Sequence, residues 1–167
     1  GSGLRYIASL GALEDLSVRG IPLVDEGLGH LQGLRNLVRL SLGETKVTDA
    51  GLDHLKGLSK IRILSLQATR ITDDGLEQIK AMEGIRELNL SQTGITDNGL
   101  AKLAALNYLT ELDLYNCEQL TDAGMAHISR LADLQRLVAP NKMTGVGLQQ
   151  LVKLANLQAL DLSSSQI

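Results

Sequence analysis

Apolar positions recur along this chain with two alternating periods. The pattern Leu-x-x-Leu-x-Leu begins at Leu13, Leu37, Ile61, Ile85, Leu109, Leu134 and Leu157, in steps of 24, 24, 24, 24, 25 and 23 residues. Inside each copy, pairs such as Leu64 and Leu66 or Leu88 and Leu90 alternate with polar neighbours, which is the period of a short strand. Downstream the apolar spacing lengthens to three, in Leu52, Leu55, Leu58, then Leu76, Ile79, Met82, then Leu100, Leu103, Leu106, which marks one face of a helix. A second motif joins the two: Val47-Thr48-Asp49-Ala50-Gly51-Leu52, Ile71-Thr72-Asp73-Asp74-Gly75-Leu76, Ile95-Thr96-Asp97-Asn98-Gly99-Leu100 and Leu120-Thr121-Asp122-Ala123-Gly124-Met125. Weaker copies run from Leu23 to Leu28 and from Met143 to Leu148. The Thr suits a helix N-cap, because its hydroxyl can accept an orphan backbone N–H. The Asp then falls in the first turn, where the helix dipole favours negative charge, so each Asp is expected to serve its own helix. The Gly is expected to let neighbouring backbones approach closely.

One unit therefore reads strand, turn, helix, return. A single unit cannot bury its leucines, whereas stacked units share a continuous core. Strands stack at about 4.8 Å and helices at about 8–10 Å, so the stack must curve with strands inside. The expected fold is an α/β solenoid, a horseshoe of about seven repeats with a parallel concave sheet and convex helices. The repeat frame reaches both termini: Leu4, Ile7 and Leu10 align with Leu28, Leu31 and Leu34. Gly1-Ser2 reads as an expression remnant, and residues 3–167 as one repeat domain taken from a longer protein. Solenoid ends need polar caps, and neither end carries one. End-to-end self-association through the uncapped terminal repeats is therefore an expected mode of partnering.

These motifs resemble the leucine-rich repeat family over residues 3–167. Leu-x-x-Leu-x-Leu-x-x-Thr-x-Ile-Thr-Asp-x-Gly-Leu looks like the Thr-Asp-x-Gly-Leu subtype of many bacterial leucine-rich repeat proteins, and is similar to the repeats of F-box substrate receptors. The F-box type carries Cys after the strand. Here only Cys117 does, where other units hold Thr45, Thr69 and Thr93, which favours the bacterial subtype. The resemblance implies a non-enzymatic interaction module that binds another protein on its concave face. The alternatives are a peptide- or glycan-binding module, or the substrate-recognition part of a larger effector or ubiquitin-ligase protein. Extracellular arrays of the family often end in disulfide-bonded caps; their absence implies a cytoplasmic location.

Composition narrows the chemistry. Lys and Arg number 16 against 19 Asp and Glu, net −3, with no basic block, which argues against nucleic acid as principal partner. No run of 18 or more apolar residues is present, so no membrane span is expected, and no signal-peptide leader is read. A single Cys excludes an internal disulfide framework and a Cys-based zinc site. The aromatics are three Tyr, of which only Tyr115 falls on the concave face, which disfavours glycan binding. No phosphate-cradling glycine motif follows a strand, and no cofactor is expected.

Strand periodicity assigns the concave face. Its three columns read Asp15, Ser17, Arg19; Arg39, Ser41, Gly43; Ile63, Ser65, Gln67; Glu87, Asn89, Ser91; Glu111, Asp113, Tyr115; Arg136, Val138, Pro140; Ala159, Asp161, Ser163. The residues expected to bind the partner are Arg39, Ile63, Gln67, Glu87, Asn89, Glu111, Asp113, Tyr115, Arg136 and Val138. Tyr115, Val138 and Pro140 would form an apolar anchor ringed by Glu111, Asp113 and Arg136. The carboxylates Glu87, Glu111 and Asp113 are read as a mildly acidic binding patch, because nothing excludes water and no nucleophile accompanies them. His30, His54 and His127 share one helix position and are read as solvated residues rather than as metal ligands. Cys117 is read as a small buried thiol at a turn.

Overall fold

The computed structural model describes residues 2–167, so Gly1, half of the pair read as an expression remnant, lies outside the described residues. Among them, seven three-residue strands pair in chain order into one parallel sheet: β1 (Asp15–Ser17), β2 (Arg39–Ser41), β3 (Ile63–Ser65), β4 (Glu87–Asn89), β5 (Glu111–Asp113), β6 (Arg136–Val138) and β7 (Ala159–Asp161). The register is in step throughout, for example Leu64 beside Leu88 and Leu88 beside Leu112. The predicted leucine-rich repeat solenoid of about seven units is thus the observed architecture.

The opposite side carries helices α1 (Asp25–Leu28), α2 (Asp73–Ile79), α3 (Asp97–Leu103), α4 (Asp122–Ile128) and α5 (Gly145–Leu151). A 3-10 turn, Gly29–Leu31, continues α1, and the second unit uses a 3-10 helix, Asp49–Leu55, in place of an α-helix. These helices are shorter than the apolar spacing suggests. Leu58, Met82 and Leu106 lie beyond their ends, in the return turns, where Leu58 and Leu106 are still buried.

The core is one continuous column. Leu40, Leu64, Leu88, Leu112 and Leu137 are at most 2% exposed, and the helix residues Leu52, Leu76, Leu100 and Met125 close it from the other side. Burying each such side chain stabilises the array by about 1.5–3 kcal/mol. The outermost units are less covered. Leu148, Leu157, Leu160 and Leu162 are only partly buried, and Leu10, aligned with buried Leu34, is half exposed because no unit stacks on its outer side among the described residues.

Two repeated devices tie the units together, and one corrects the sequence expectation. The motif Asp does not serve its own helix alone. Asp25, Asp49, Asp73, Asp97 and Asp122 each accept two hydrogen bonds from the Thr one unit ahead, at 2.8–2.9 Å from its N–H and 2.6–2.7 Å from its hydroxyl. The hydroxyls of Thr72, Thr96, Thr121 and Thr144 also accept the second helical N–H of their own unit at 3.2–3.4 Å, so the predicted caps form there; Thr48 makes no such cap. The motif Gly makes room for this clasp rather than for a neighbouring backbone. A Cβ on Gly99 would sit 2.1 Å from Asp73 Oδ1, and on Gly51, Gly75, Gly124 and Gly147 it would sit 2.4 Å from the matching Asp.

The second device turns the chain out of the sheet. Glu44, Ala68, Gln92, Asn116 and Ser164 adopt positive φ of 51–69°, a conformation unusual for residues other than Gly. At the same residues the Glu44, Ala68 and Gln92 N–H groups donate to the carbonyls of Gln67, Ser91 and Tyr115 at 2.8–2.9 Å, extending the ladder past the strands. The next residue, Thr45, Thr69 or Thr93, points inward, and its hydroxyl donates to the Leu42, Leu66 or Leu90 carbonyl at 2.6–2.7 Å. Cys117 replaces this Thr as expected: it is 1% exposed, its Sγ lies 3.1 Å from the Leu90 carbonyl, and burial pushes the thiol pKa up.

Candidate functional site: the concave sheet face

Alternation along each strand turns its first and third residues away from the leucine core. Because the strands are in register, those residues form straight columns. The first runs Asp15, Arg39, Ile63, Glu87, Glu111, Arg136, Ala159, and the second Ser17, Ser41, Ser65, Asn89, Asp113, Val138, Asp161.

Between β3 and β6 this face holds a shallow groove of about 300 Å³. Ile63, Ser65, Glu87, Asn89, Glu111, Asp113, Arg136 and Val138 line it, with Leu64, Leu88 and Leu112 beneath. Seven of the ten residues expected to bind a partner therefore meet in one depression. The other three lie outside its lining. Arg39 pairs with Asp15 at 2.7 Å towards the first unit, Gln67 stands in the third column, and Tyr115 is 38% exposed beyond the groove. Pro140 is buried, so the anticipated anchor reduces on the surface to Tyr115 and half-buried Val138.

Side-chain hydrogen bonds tie down the groove floor along β4 and β5. Where a strand ends, the N–H of the third-column residue points along the face and needs an acceptor. Asn89 Oδ1 accepts both the Ser91 N–H at 2.9 Å and the Ser91 hydroxyl at 2.7 Å. Asp113 Oδ1 accepts the Tyr115 N–H at 2.9 Å, and Asp161 Oδ1 accepts that of Ser163 at 2.8 Å. Asn89 Nδ2 then donates to Asp113 Oδ2 at 3.0 Å, joining β4 to β5. In the sixth unit Val138 cannot accept, and the third-column residue is Pro140, which has no N–H to offer. The Val–Pro pair solves by deletion what the Asn–Ser and Asp–Tyr pairs solve by bonding.

Asp113 is thus engaged by the Tyr115 N–H and the Asn89 amide, while its carboxylate still lines the groove. Glu87 and Glu111 stand side by side on β4 and β5. The Glu87 carboxyl is held above its usual pKa, chiefly by partial burial and then by the Glu111 charge; Arg39 two strands away opposes this weakly. Glu111 has Arg136 at 3.9 Å on its other side.

The histidines are half-buried rather than solvated. His54 Nδ1 is 3.1 Å from Gln32 Nε2, and His127 Nδ1 is buried without a hydrogen-bond partner. Among the described residues no group of three or more His, Cys, Asp or Glu is placed to hold a metal ion, and no helix is long and apolar enough to cross a membrane.

Comparison with known proteins agrees with the repeat architecture. A family model described as a leucine-rich repeat matches residues 85–104 and 105–129, the fourth and fifth units. No curated protein matches the chain. Among solved structures, the chain is similar to an internalin C2 (inlC2) from Listeria monocytogenes, with a TM-score of 0.63 and 24% identity over 96% of this chain and 81% of that one. It is also similar to an internalin (inlF) from the same organism, with a TM-score of 0.56 and 19% identity over 93% of this chain. The chain spans 56% of the length of that second structure. At these identities the likeness concerns the fold, and the fold of this chain is the leucine-rich repeat solenoid.

Proposed function

We propose that this chain is a non-enzymatic protein-interaction module whose partner docks in the concave groove between β3 and β6. The observation that carries this reading is the groove itself: an open depression with mixed polar and apolar walls over a floor pinned by Asn89 and Asp113. A surface held by strand pairing and side-chain hydrogen bonds needs little ordering when a partner arrives, so less of the contact energy is lost on binding. Leucine-rich repeat solenoids commonly offer such extended concave surfaces to other proteins. Catalysis finds no support in the site: the groove is open to water, Cys117 is buried with a raised pKa, and Asp113 is engaged by backbone. The repeated Asp–Thr clasp supports the Thr-Asp-x-Gly-Leu subtype as the finer description of the repeats.

The test is an affinity pull-down with the intact chain, with Ser65→Trp and with Ala126→Trp. Ser65 lines the groove floor and Ala126 is exposed on convex α4. The expected result is a specific partner retained by the Ala126 variant and lost by the Ser65 variant. Equal recovery by both would contradict concave docking.

A further inference from the structure

The in-register sheet makes charge matching on the concave face a simple reading of neighbours. Along the first column, Asp15 faces Arg39, Arg39 faces Ile63, Ile63 faces Glu87, Glu87 faces Glu111, and Glu111 faces Arg136. Asp15 is neutralised by Arg39 at 2.7 Å, and Glu44 at the sheet margin by Arg19 at 2.6 Å. Glu111 has Arg136 at 3.9 Å. Glu87 makes no ion pair among the described residues; its neighbours in the column are an isoleucine and another glutamate. Glu87 beside Glu111 is the one like-charged in-register pair of the sheet among the described residues. Adjacent strands lie about 4.8 Å apart, close enough for directly opposed like charges to repel.

This pair stands in the middle of the groove rather than on an open margin. One flank is the aliphatic side chain of Ile63, the far wall is Val138, and the floor is fixed. The column reads minus, plus, neutral, minus, minus, plus, so it lacks one positive charge at one place. We propose that the groove receives a lysine or arginine side chain carried by a protein segment, seated between Glu87 and Glu111 with its methylene stem along Ile63. A neighbouring apolar residue of the segment then meets Val138. This inference rests on the concave-docking reading and adds the chemistry of the partner to it. The basic group gains two carboxylates with no cation to displace from Glu87. Its stem covers an isoleucine that water now touches, an arrangement that suits the long amphipathic side chains.

The test uses three short synthetic peptides, acetyl-Val-Arg-Val-amide, its norleucine counterpart and its glutamate counterpart. Each is titrated into the isotopically labelled chain and into the Glu87→Gln, Glu111→Gln double variant, with amide chemical shifts as the readout. The glutamines keep the shape of the groove and remove only the charge. The arginine peptide is expected to shift amides of β3 to β6 and to bind at least about tenfold more tightly than the norleucine peptide, with that advantage lost in the double variant. The glutamate peptide is expected to bind least. An equal affinity for arginine and norleucine peptides, an arginine advantage that survives in the double variant, or no arginine-dependent shift in the groove would each overturn the basic-side-chain inference. If the norleucine peptide alone maps to the groove, concave docking stands while this inference falls. If shifts gather on α2 to α4 instead, concave docking falls with it. Magnesium or calcium chloride alone shifting the same amides, and competing with the arginine peptide, would make the pair a cation site and would also overturn the inference.

Discussion

Two ladders run the length of this array, and they differ in one respect. On the edge where strands lead into helices, every unit from the first to the fifth presents Asp, every unit from the second to the sixth presents Thr, and the bonds between them repeat within 0.1 Å. On the concave face the same register brings a different residue at nine of the twelve steps along the two columns, the exceptions being Ser17–Ser41, Ser41–Ser65 and Glu87–Glu111. The first ladder satisfies its charges internally, and the second leaves Glu87 unpaired. Positions that repeat answer to the neighbouring unit, which is always the same. Positions that vary are released from that demand and can answer to something outside the chain.

The sharpest way to break this contrast is to disturb the regular ladder. Gly99→Ala, at a buried position of this ladder, should be the most damaging substitution. The new Cβ would displace the Asp73 carboxylate and press on Leu76 Cδ1 at 3.0 Å. A loss of about 2–3 kcal/mol is expected in urea unfolding, despite the better helix propensity of Ala. Gly145→Ala is the control: a Cβ there meets nothing within 4 Å, so stability should be unchanged or rise by a few tenths of a kcal/mol, at most about 1. Next comes Asp73→Ala, which removes the acceptor for both the Thr96 N–H and its hydroxyl. About 1–2 kcal/mol should be lost in the same assay.

The irregular ladder should respond with the opposite sign. Glu87→Gln relieves the repulsion from Glu111 and should stabilise the chain by about 0.2–0.5 kcal/mol at pH 7. The pH dependence separates the two ladders. Asp122 is held below its usual pKa, first by the Thr144 hydroxyl and then by the Thr144 N–H. Its contribution is therefore present above the unfolded carboxylate pKa and lost as pH falls through the folded value. Glu87 is raised, so its penalty is absent below the unfolded pKa and appears as pH rises through the folded one. Thermal melts between pH 7 and pH 3.5 should accordingly show the Glu87→Gln gain only at the higher pH, whereas an Asp122→Asn loss should begin to shrink only towards the acid end. The smallest effect is expected for Arg39→Gln. Arg39 and Asp15 are a solvent-exposed pair at the first strands, and Tm should not move measurably.

Much of this was legible in the sequence. Seven strands, their register, the leucine core and the three concave columns all follow from positions that repeat every 24 residues or so, because a period of two and a fixed repeat length together determine which side chains are neighbours. The groove gathers seven of the ten residues read from those columns for the same reason. What was not legible depends on distances between units or on backbone geometry. In Thr-Asp-x-Gly only the invariant Gly hints that the Asp reaches the following Thr rather than its own helix, and the space it leaves for the carboxylate shows only once the units are packed. The left-handed residues Glu44, Ala68, Gln92 and Asn116 share no side-chain chemistry, so only their constant place immediately before the buried Thr or Cys marks them. Asp113 reads as one carboxylate among three until its bond to the Tyr115 N–H is seen. The 3-10 conformation of Asp49–Leu55 has no counterpart in the sequence that distinguishes it from the α-helical units.

The division between a ladder that holds the array and a face that binds is tested most directly by carboxylate footprinting of the chain with and without the partner recovered in the pull-down. Glu87 and Glu111 report the groove, while Glu77 and Asp53 report the convex side. Binding should slow carbodiimide labelling of Glu87 and Glu111 and leave Glu77 and Asp53 unchanged. Protection of Glu77 and Asp53 with Glu87 and Glu111 labelled as before would contradict it.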